Sequence, residues 1–469
     1  MRPPISASAL ASMAEACTSM THLKQIHAHS ITSNLCTHHL PLAKMLCFAA
    51  VSPLGDLRYA HRMFDQIPEP TAFLYNTLIR GYAKSSVPSQ SVHLFNQMRR
   101  VGLDPDEFSF NFLITARSRS KYLECDEMHG LVVKLGFSSH LYVQNSLIHL
   151  YAMRGSPVAA RKVFGETVGP DAFTWSGLVL AHVKAGELDV ARRVFNAMPE
   201  KDVASWTAMI TGYSQAKYSE EALQLFMEMR DAGLSPDEVT LVSVLSACKN
   251  SGDLELGISV HAYMQENGLG RMISLCNALI DMYGKCGSID RAWSVFNSMH
   301  TKSLVTWNIM ISAFALQGNV EDAFWLFRCM LDSGVAPDGF TFLALLRAHS
   351  RQGSVDEGYK LFESMSDYGI MPTVEHYGCV VDMLGQAGRL DDAYNLIRNM
   401  PIPSNDVMWK LLLKACRTLG DMEMGEMVVK KLLEFKPDDA GYYALLHDIY
   451  IASGRTADAS QMRQAIASW

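Results

Sequence analysis

The chain has 469 residues, of which 49% are apolar and 19% are charged, so it can bury a large core and is not compositionally disordered. Its ten cysteines form no C-x-x-C pair, which argues against a zinc ribbon or a secreted disulfide framework and favours a reducing compartment. A net charge of −7 gives no global positive field, so any nucleic-acid binding must be local, and no apolar run predicts a membrane span.

Along the chain, the sequence predicts a succession of paired amphipathic helices. In residues 72–84 the apolar side chains recur at the i, i+3, i+4 and i+7 spacing of a helix, and they do so again in residues 91–98. The segment then ends in "VGLDPD", whose glycine suits a helix C-terminus and whose proline suits the exit. Residues 203–237 repeat the pattern and end in "GLSPD". Each segment is therefore predicted to be a helical hairpin.

One phrase marks these hairpins as a repeat. "NTLIRGYAK" recurs as "TAMITGYSQ", "NALIDMYGK" and "NIMISAFAL". The residues that open it are Asn76, Asn145, Ser176, Thr207, Asn277, Asn308 and Gly378. Their spacings of 69, 31, 31, 70, 31 and 70 residues define a repeat of 31 or 35 residues, with one degenerate repeat inside each long gap. A single hairpin cannot bury both of its apolar faces, so the repeats are predicted to stack into a solenoid.

The repeat spacing divides the whole chain. We assign residues 1–6 to a short N-terminal segment, 7–405 to twelve repeats, and 406–469 to two variant repeats, the last of them incomplete. The twelve repeats are 7–39, 40–71, 72–106, 107–140, 141–171, 172–202, 203–237, 238–272, 273–303, 304–338, 339–373 and 374–405. The variant repeats are 406–439 and 440–469.

The repeat sequences resemble a known family. Repeats such as "VASWTAMITGYSQ…GLSPD", shorter ones ending "MPEKD", and degenerate ones containing "SACKNSGDLELGISVHAY" resemble the plant pentatricopeptide repeat family. The alternation of long, short and standard repeats resembles its PLS subclass, and residues 406–469 look like its C-terminal E-type extension motifs without a DYW deaminase domain. The resemblance implies an all-α, right-handed superhelical solenoid of stacked helix-turn-helix repeats. It also implies sequence-specific binding of single-stranded organellar RNA, most often to mark a cytidine for editing to uridine.

In this family one base lies at each repeat and is read by the phrase-opening residue, here called the opener, and the last residue, here called the closing residue. The resemblance implies the base-reading pairs Asn76/Asp106, Asn145/Asp171, Ser176/Asp202, Thr207/Asp237, Asn277/Ser303 and Asn308/Asp338. An ionised Asp only accepts hydrogen bonds, so it selects guanine or uracil, whose Watson–Crick edges carry ring N–H donors. A short Thr or Ser opener leaves room for guanine, whereas Asn reaches the smaller uracil. Ser303 donates as well as accepts, so its repeat can take cytosine.

The residue three before the opener is expected to sandwich the base. Suitable side chains at that place are Phe73, Tyr142, Phe173 and Val305. A structural alternative exists for the pairs, since Asn, Ser and Thr at a helix start are common N-caps and Asp after Pro is a common turn residue. Capping and base reading can coexist.

Catalytic residues for deamination are missing from the sequence. A cytidine deaminase needs an H-x-E segment and a C-x-x-C pair, and neither occurs. We therefore predict that the chain is not an enzyme, uses no cofactor, metal or small-molecule substrate, and contacts no membrane. For editing it would recruit a deaminase-bearing partner and accessory editing factors through residues 406–469.

The resemblance places the protein in a mitochondrion or chloroplast, the mitochondrion slightly favoured, although the first residues match a transit peptide poorly. Two alternatives stay open: an RNA-stabilising or processing factor, and a protein-binding helical scaffold. The paired openers and closing residues argue against the scaffold. In the register typical of the family, the repeat 374–405 lies four nucleotides before the edited cytidine, which gives the target 5′-U-N-U-G-G-N-Y-U at positions −13 to −6.

Overall fold

The computed structural model describes residues 6–33, 35, 38–119, 125–436, 440–452 and 454–467. Within these ranges the chain forms 28 α-helices, one 3₁₀-helix and no strand. The predicted all-α fold of stacked helical hairpins is confirmed. Residues 1–5 of the predicted N-terminal segment lie outside the described residues, and Ser6 caps the first helix.

The chain divides into two compact bodies, residues 1–240 and 241–469. The helices of the N-terminal body are α1 Ala7–Glu15, α2 Met20–Thr32, α3 His39–Val51, α4 Leu57–Phe64, α5 Ala72–Lys84, α6 Ser89–Arg100, α7 Glu107–Ser118, α8 Cys125–Lys134, α9 Leu141–Met153, α10 Pro157–Glu166, α11 Ala172–Lys184, α12 Leu188–Ala197, α13 Val203–Gln215 and α14 Ser219–Asp231. The body boundary falls inside α15, Glu238–Ser251.

The C-terminal body continues the same alternation of helices. Its further helices are α16 Leu254–Glu266, α17 Ile273–Lys285, α18 Ile289–Ser298, α19 Leu304–Leu316, α20 Val320–Asp332, α21 Gly339–Gln352, α22 Val355–Ser364, the 3₁₀-helix Met365–Tyr368, α23 Val374–Gln386, α24 Leu390–Asn399, α25 Asp406–Leu419, α26 Met422–Phe435, α27 Ala440–Ala452 and α28 Thr456–Ala467. Among the described residues, no helix is both long and apolar enough to cross a membrane.

Local sequence explains where the first helix of each hairpin begins. Asp106, Asp171, Asp202 and Asp338 are the N-caps of α7, α11, α13 and α21, and each side chain accepts a hydrogen bond from the backbone N–H three residues later. Ser303 does the same for α19. In these five repeats the closing residue thus fixes the start of the next repeat, whereas Thr71, His140 and Met272 make no such capping bond.

A recurring aromatic contact joins successive hairpins in the N-terminal body. A Phe from the second helix of one repeat packs edge-on against an aromatic residue in the first helix of the next. The pairs are Phe64/Tyr75, Phe164/Trp175 and Phe195/Trp206, with ring centroids 4.8, 4.7 and 4.7 Å apart. Such pairs contribute about 0.5–1.5 kcal/mol beyond the area they bury.

The C-terminal body uses the same contact. Phe296 meets Trp307 at 5.1 Å, Phe362 meets Tyr377 at 5.0 Å, and Tyr394 meets Trp409 at 5.6 Å. The first helices of successive repeats, which are the odd-numbered helices, also pack on one another. This packing runs from α1 to α13 in the N-terminal body and from α17 to α25 in the C-terminal body. Within each body, the first helices therefore present the same residue positions to one surface.

Candidate nucleic-acid interface

In the N-terminal body, the first predicted pair forms a closed hydrogen-bond network. Asn76 is the fifth residue of α5, and its Nδ2 donates to Oδ1 and Oδ2 of Asp106 at 2.9 and 3.1 Å. The Ser109 hydroxyl, at the third residue of α7, lies 2.7 Å from Asn76 Oδ1 and 2.8 Å from Asp106 Oδ1. Residues 30 or more positions apart thus meet because the two hairpins stack.

The pair Asn145/Asp171 has the same arrangement. Asn145 Nδ2 lies 3.3 and 3.4 Å from the two Asp171 oxygens, and the Thr174 hydroxyl lies 2.6 Å from Asn145 Oδ1 and 2.7 Å from Asp171 Oδ1. Desolvation raises the pKa of Asp171, but the hydrogen bonds from Thr174 and Asn145 outweigh it, so that the pKa lies below its usual value. Asp171 is therefore ionised and acceptor-only at neutral pH.

Shorter openers make two variants of this network. Ser176 Oγ donates to Asp202 Oδ1 at 2.7 Å. Thr207 Oγ1 lies 3.4 Å from Asp237 Oδ1 and only 2.6 Å from the hydroxyl of Thr240, which in turn donates to Asp237 at 2.7 Å. Thr207 thus reaches its carboxylate mainly through a second hydroxyl.

The C-terminal body contains one linked pair and one that is not linked. Asn308 Nδ2 donates to Asp338 Oδ1 at 2.9 Å, and the Thr341 hydroxyl lies 2.6 Å from Asn308 Oδ1. Asn277 makes no hydrogen bond with Ser303, whose side chain instead pairs with Thr306 at 2.9 Å, and Asn277 Oδ1 is buried without a partner among the described residues. A serine closing residue is too short to replace the Asp carboxylate here.

The structure corrects one alternative drawn from the sequence. The openers are not N-caps, because each is the fifth residue of its helix; the caps are the closing residues of the preceding repeats. Asp106 and Asp338 accordingly do two things at once, capping the next helix and bonding the opener of their own repeat.

The four predicted sandwich residues are exposed beside these pairs. Phe73, Tyr142, Phe173 and Val305 are each between 55% and 67% exposed. In the N-terminal body, Tyr142 and Phe173 line the same cavity as Asn145 and Asp171, with a volume of about 450 Å³. In the C-terminal body, Val305 lines a larger groove of about 1080 Å³ together with Asn308 and Asp338.

Comparison with known proteins assigns the family. Residues 70–119, 201–250 and 302–351 match the PPR repeat family; 173–203, 274–304, 340–370 and 375–401 match the PPR repeat; and 231–286 match the pentatricopeptide repeat domain. A pentatricopeptide repeat-containing protein of Arabidopsis thaliana is 37% identical over 486 residues, which cover 96% of this chain and 88% of the relative. The chain belongs to the pentatricopeptide repeat family.

Further similar proteins carry the same name. Another Arabidopsis thaliana pentatricopeptide repeat-containing protein is 40% identical over 454 residues, covering 95% of this chain and 71% of the relative. A third, named as mitochondrial, is 36% identical and covers 94% of this chain and 64% of the relative. The crystal structure of the pentatricopeptide repeat protein PPR10 with an 18-nucleotide psaJ RNA element has a TM-score of 0.47 and 16% identity, covering 98% of this chain and 82% of PPR10.

This pentatricopeptide repeat chain has further candidate interface residues that the sequence analysis missed. Phe108 and Phe340 are the second residues of α7 and α21, as Phe73 is of α5. Both lie in repeats classed as degenerate, and both are exposed. Asn111 is the fifth residue of α7 and accepts a hydrogen bond from Ser146 at 2.9 Å. Counting positions from each helix start would have found all three. The hydroxyls that join opener and closing residue follow the pattern D-x-x-S/T, which is also visible in the sequence.

A row of basic side chains lies at the far end of the first helices. Their shared place is the thirteenth residue counted from the helix start, and they are Lys84, Arg119, Lys184, Lys285 and Arg351. Arg351 Nη1 donates to the carbonyl of Leu316 at 2.6 Å, and Lys285 pairs with Asp281 at 3.5 Å. Each body of the net negative chain therefore carries cationic side chains eight residues along the first helices from the fifth position, with the charge of Lys285 offset by Asp281.

Proposed function

We propose that this protein binds single-stranded RNA sequence-specifically, with one base per repeat, and acts as an organellar site-recognition factor for C-to-U editing. The observation that supports this most is the coupling of an opener to an Asp carboxylate beside an exposed apolar side chain, at the same helix positions in the repeats 72–106, 141–171 and 304–338. A protein-binding scaffold gives no reason for this coupling to recur in register.

The repeat 141–171 illustrates the proposed contact. A base enters between the exposed rings of Tyr142 and Phe173, which lie in one cavity with Asn145 and Asp171. Stacking on such rings is worth about 1–3 kcal/mol per base and does not depend on sequence. The ionised Asp171 then accepts from the ring N–H of uracil or guanine and repels the acceptor nitrogen of cytosine or adenine, so that the pair supplies the selectivity.

The backbone of the RNA would follow the basic row. Lys84, Arg119 and Lys184 are spaced one repeat or more apart along the N-terminal body, as Lys285 and Arg351 are in the C-terminal body. Contacts of Lys and Arg with phosphate provide affinity without sequence preference. Local charge of this kind allows RNA binding in spite of a net charge of −7.

Editing itself would require a partner. We propose that the chain is of the PLS subclass and that residues 406–469 are an E-type extension, on which a deaminase-bearing partner and accessory factors dock. In support, α25 and α26 leave Leu419, Met427 and Phe435 exposed. The site of action would be a mitochondrion or chloroplast.

Selection from a random RNA pool tests the proposal. The enriched site should read 5′-U-N-U-G-G-N-Y-U, and its central U-G-G arises from Asn145, Ser176 and Thr207. The variant Thr207→Asn recreates the set Asn308/Asp338/Thr341 at this repeat, because Asp237 and Thr240 are already present. Preference at the corresponding base should move from G to U by tenfold or more, since a base-edge contact is worth about 1–3 kcal/mol of discrimination.

Two results would contradict the proposal. One is an enriched sequence without the central U-G-G; the other is an equal loss of affinity of Thr207→Asn for RNAs with G and with U at that base, which would make Thr207 merely structural. Editing is tested separately, by sequencing organellar transcripts of a loss-of-function plant line. A lost C-to-U conversion supports editing, whereas shifted transcript ends favour a role in RNA protection.

A further inference from the structure

A buried hydroxyl lies between opener and closing residue in four of the six predicted pairs. It belongs to the third residue of the following first helix, and the four residues are Ser109, Thr174, Thr240 and Thr341. All four side chains are completely buried. The sequence-based base code uses the opener and the closing residue only, so it assigns these hydroxyls no role.

At Thr207 the direction of each proton follows from chemistry. The Asp237 carboxylate can only accept, so Thr240, 2.7 Å away, donates its single hydroxyl proton to it. The contact of 2.6 Å between Thr240 and Thr207 is then donated by Thr207, whose other acceptor, Asp237 Oδ1, lies farther away at 3.4 Å. The proton of Thr207 is thereby fixed inside the protein, and only oxygen lone pairs remain for a base.

At the Asn openers the hydroxyl supplies a second anchor. Asn308 Nδ2 donates to Asp338, 2.9 Å away. The Thr341 hydroxyl has one proton and two acceptors, Asn308 Oδ1 at 2.6 Å and Asp338 Oδ1 at 3.0 Å, and the nearer Asn308 oxygen is the favoured one. Two attachments on opposite ends of the amide fix its plane, whereas one attachment leaves the amide free to rotate about χ2. Asn76 and Asn145 are held in the same way.

Two of the described pairs lack the bridging hydroxyl: Asn277/Ser303, which is not linked, and Ser176/Asp202, which provides a natural exception. Ser205 occupies the same third position, but its hydroxyl donates to the backbone carbonyl of Asp202 at 2.8 Å. Ser176 instead bonds Asp202 directly at 2.7 Å. The hydroxyl of Ser205 therefore takes no part in holding its opener.

We propose that Ser109, Thr174, Thr240 and Thr341 are positioning residues for base discrimination, which orient the opener and so determine whether it offers a donor or an acceptor to the RNA. This inference rests on the proposed RNA binding. It adds a third residue to each reading site, contributed by the neighbouring repeat, and it predicts that a repeat is read correctly only when the next repeat is stacked on it.

The test uses the full chain and the RNA that it selects from a random pool. Affinities are measured for two RNAs that differ only in U or C at the base facing the repeat 304–338. Thr341→Val keeps the shape but removes the hydroxyl, and should reduce the U/C affinity ratio by about three- to tenfold, as expected for one hydrogen bond. Thr341→Ser keeps the hydroxyl and should retain the ratio. Ser205→Ala should leave the base preference of the repeat 172–202 unchanged.

The outcomes are distinct. If wild-type protein does not discriminate between bases, the proposed function fails. If it does, and Thr341→Val binds both RNAs equally more weakly at an unchanged ratio, the hydroxyl is only a helix cap and the inference is wrong. Circular dichroism shows whether Thr341→Val folds. If it does not, Thr174→Val in the full chain decides the matter, with RNAs that carry U or C at the base facing the repeat 141–171.

Discussion

At the residue scale, His349 is a buried polar side chain whose ring nitrogens are left by the stacking of the repeats without hydrogen bonds to any part of the chain that the structure describes. Its imidazole is buried in α21, packs edge-on against Phe324 at 5.1 Å, and neither ring nitrogen has a hydrogen-bond partner among the described residues. Burial lowers its pKa, and the nearby Glu357 offsets this only in part. A buried polar group without a partner costs about 1–3 kcal/mol.

We predict that His349→Leu raises the free energy of unfolding by about 1 kcal/mol at neutral pH. The difference in the free energy of unfolding between the variant and the wild type should grow as the pH falls below about 6.5. The reason is that His349 then binds a proton in the unfolded chain but not in the folded one, where its pKa is lowered. Thermal unfolding of both proteins between pH 5 and 8 measures the difference, in which the contributions of the other histidines cancel.

Leu384 provides a matched control, since it occupies the same helix position in α23, one hairpin later, and is buried. Leu384→His should destabilise the protein and make its stability fall more steeply below pH 6.5. A lower stability of His349→Leu at every pH would mean that its ring nitrogens are satisfied by water.

At the scale of the element, the turn between the two helices of a repeat depends on one backbone conformation. Gly186 follows α11 with a φ of 77°, and glycine stands at the same place as Gly155, Gly287, Gly318 and Gly388. Lys217 takes this place between α13 and α14 with a φ of 65°, the only non-glycine residue with positive φ in the described part of the chain. A left-handed conformation costs a residue with a Cβ about 1–2 kcal/mol.

Lys217→Gly should therefore stabilise the α13–α14 hairpin by about 0.5–1 kcal/mol, the relief of strain exceeding the entropy that glycine loses on folding. Hydrogen exchange of the amides in α13 and α14, together with the thermal midpoint, would detect the change. Gly186→Lys is the reverse control, and it should destabilise by strain alone, because nothing lies within 4 Å of its Cβ position. Slower exchange in Gly186→Lys would refute this explanation.

At the scale of the whole molecule, the absence of deaminase residues leads to a direct prediction. In the described part of the chain, no three His, Cys, Asp or Glu side chains group in a way that could hold a metal ion. Homogeneous protein should bind its selected RNA and form no uridine from cytidine, with or without added Zn²⁺, as measured by sequencing the incubated RNA beside an active cytidine deaminase. Uridine formed by the protein alone would overturn the recruitment model.

The sequence by itself determined the repeat period, the hairpin content and the place of the openers, because these follow from spacings of three to five residues and from glycines and prolines at helix ends. It identified Asn76 and Asp106, for example, as residues of one repeat with suitable chemistry. Only the tertiary structure decided how they act. The Asn76 amide meets Asp106 and Ser109 across 30 and 33 residues, Ser205 turns away from its opener, and Asn277 does not reach Ser303. These contacts depend on how one hairpin stacks on the next, and this stacking is fixed by packing between distant residues rather than by any local pattern.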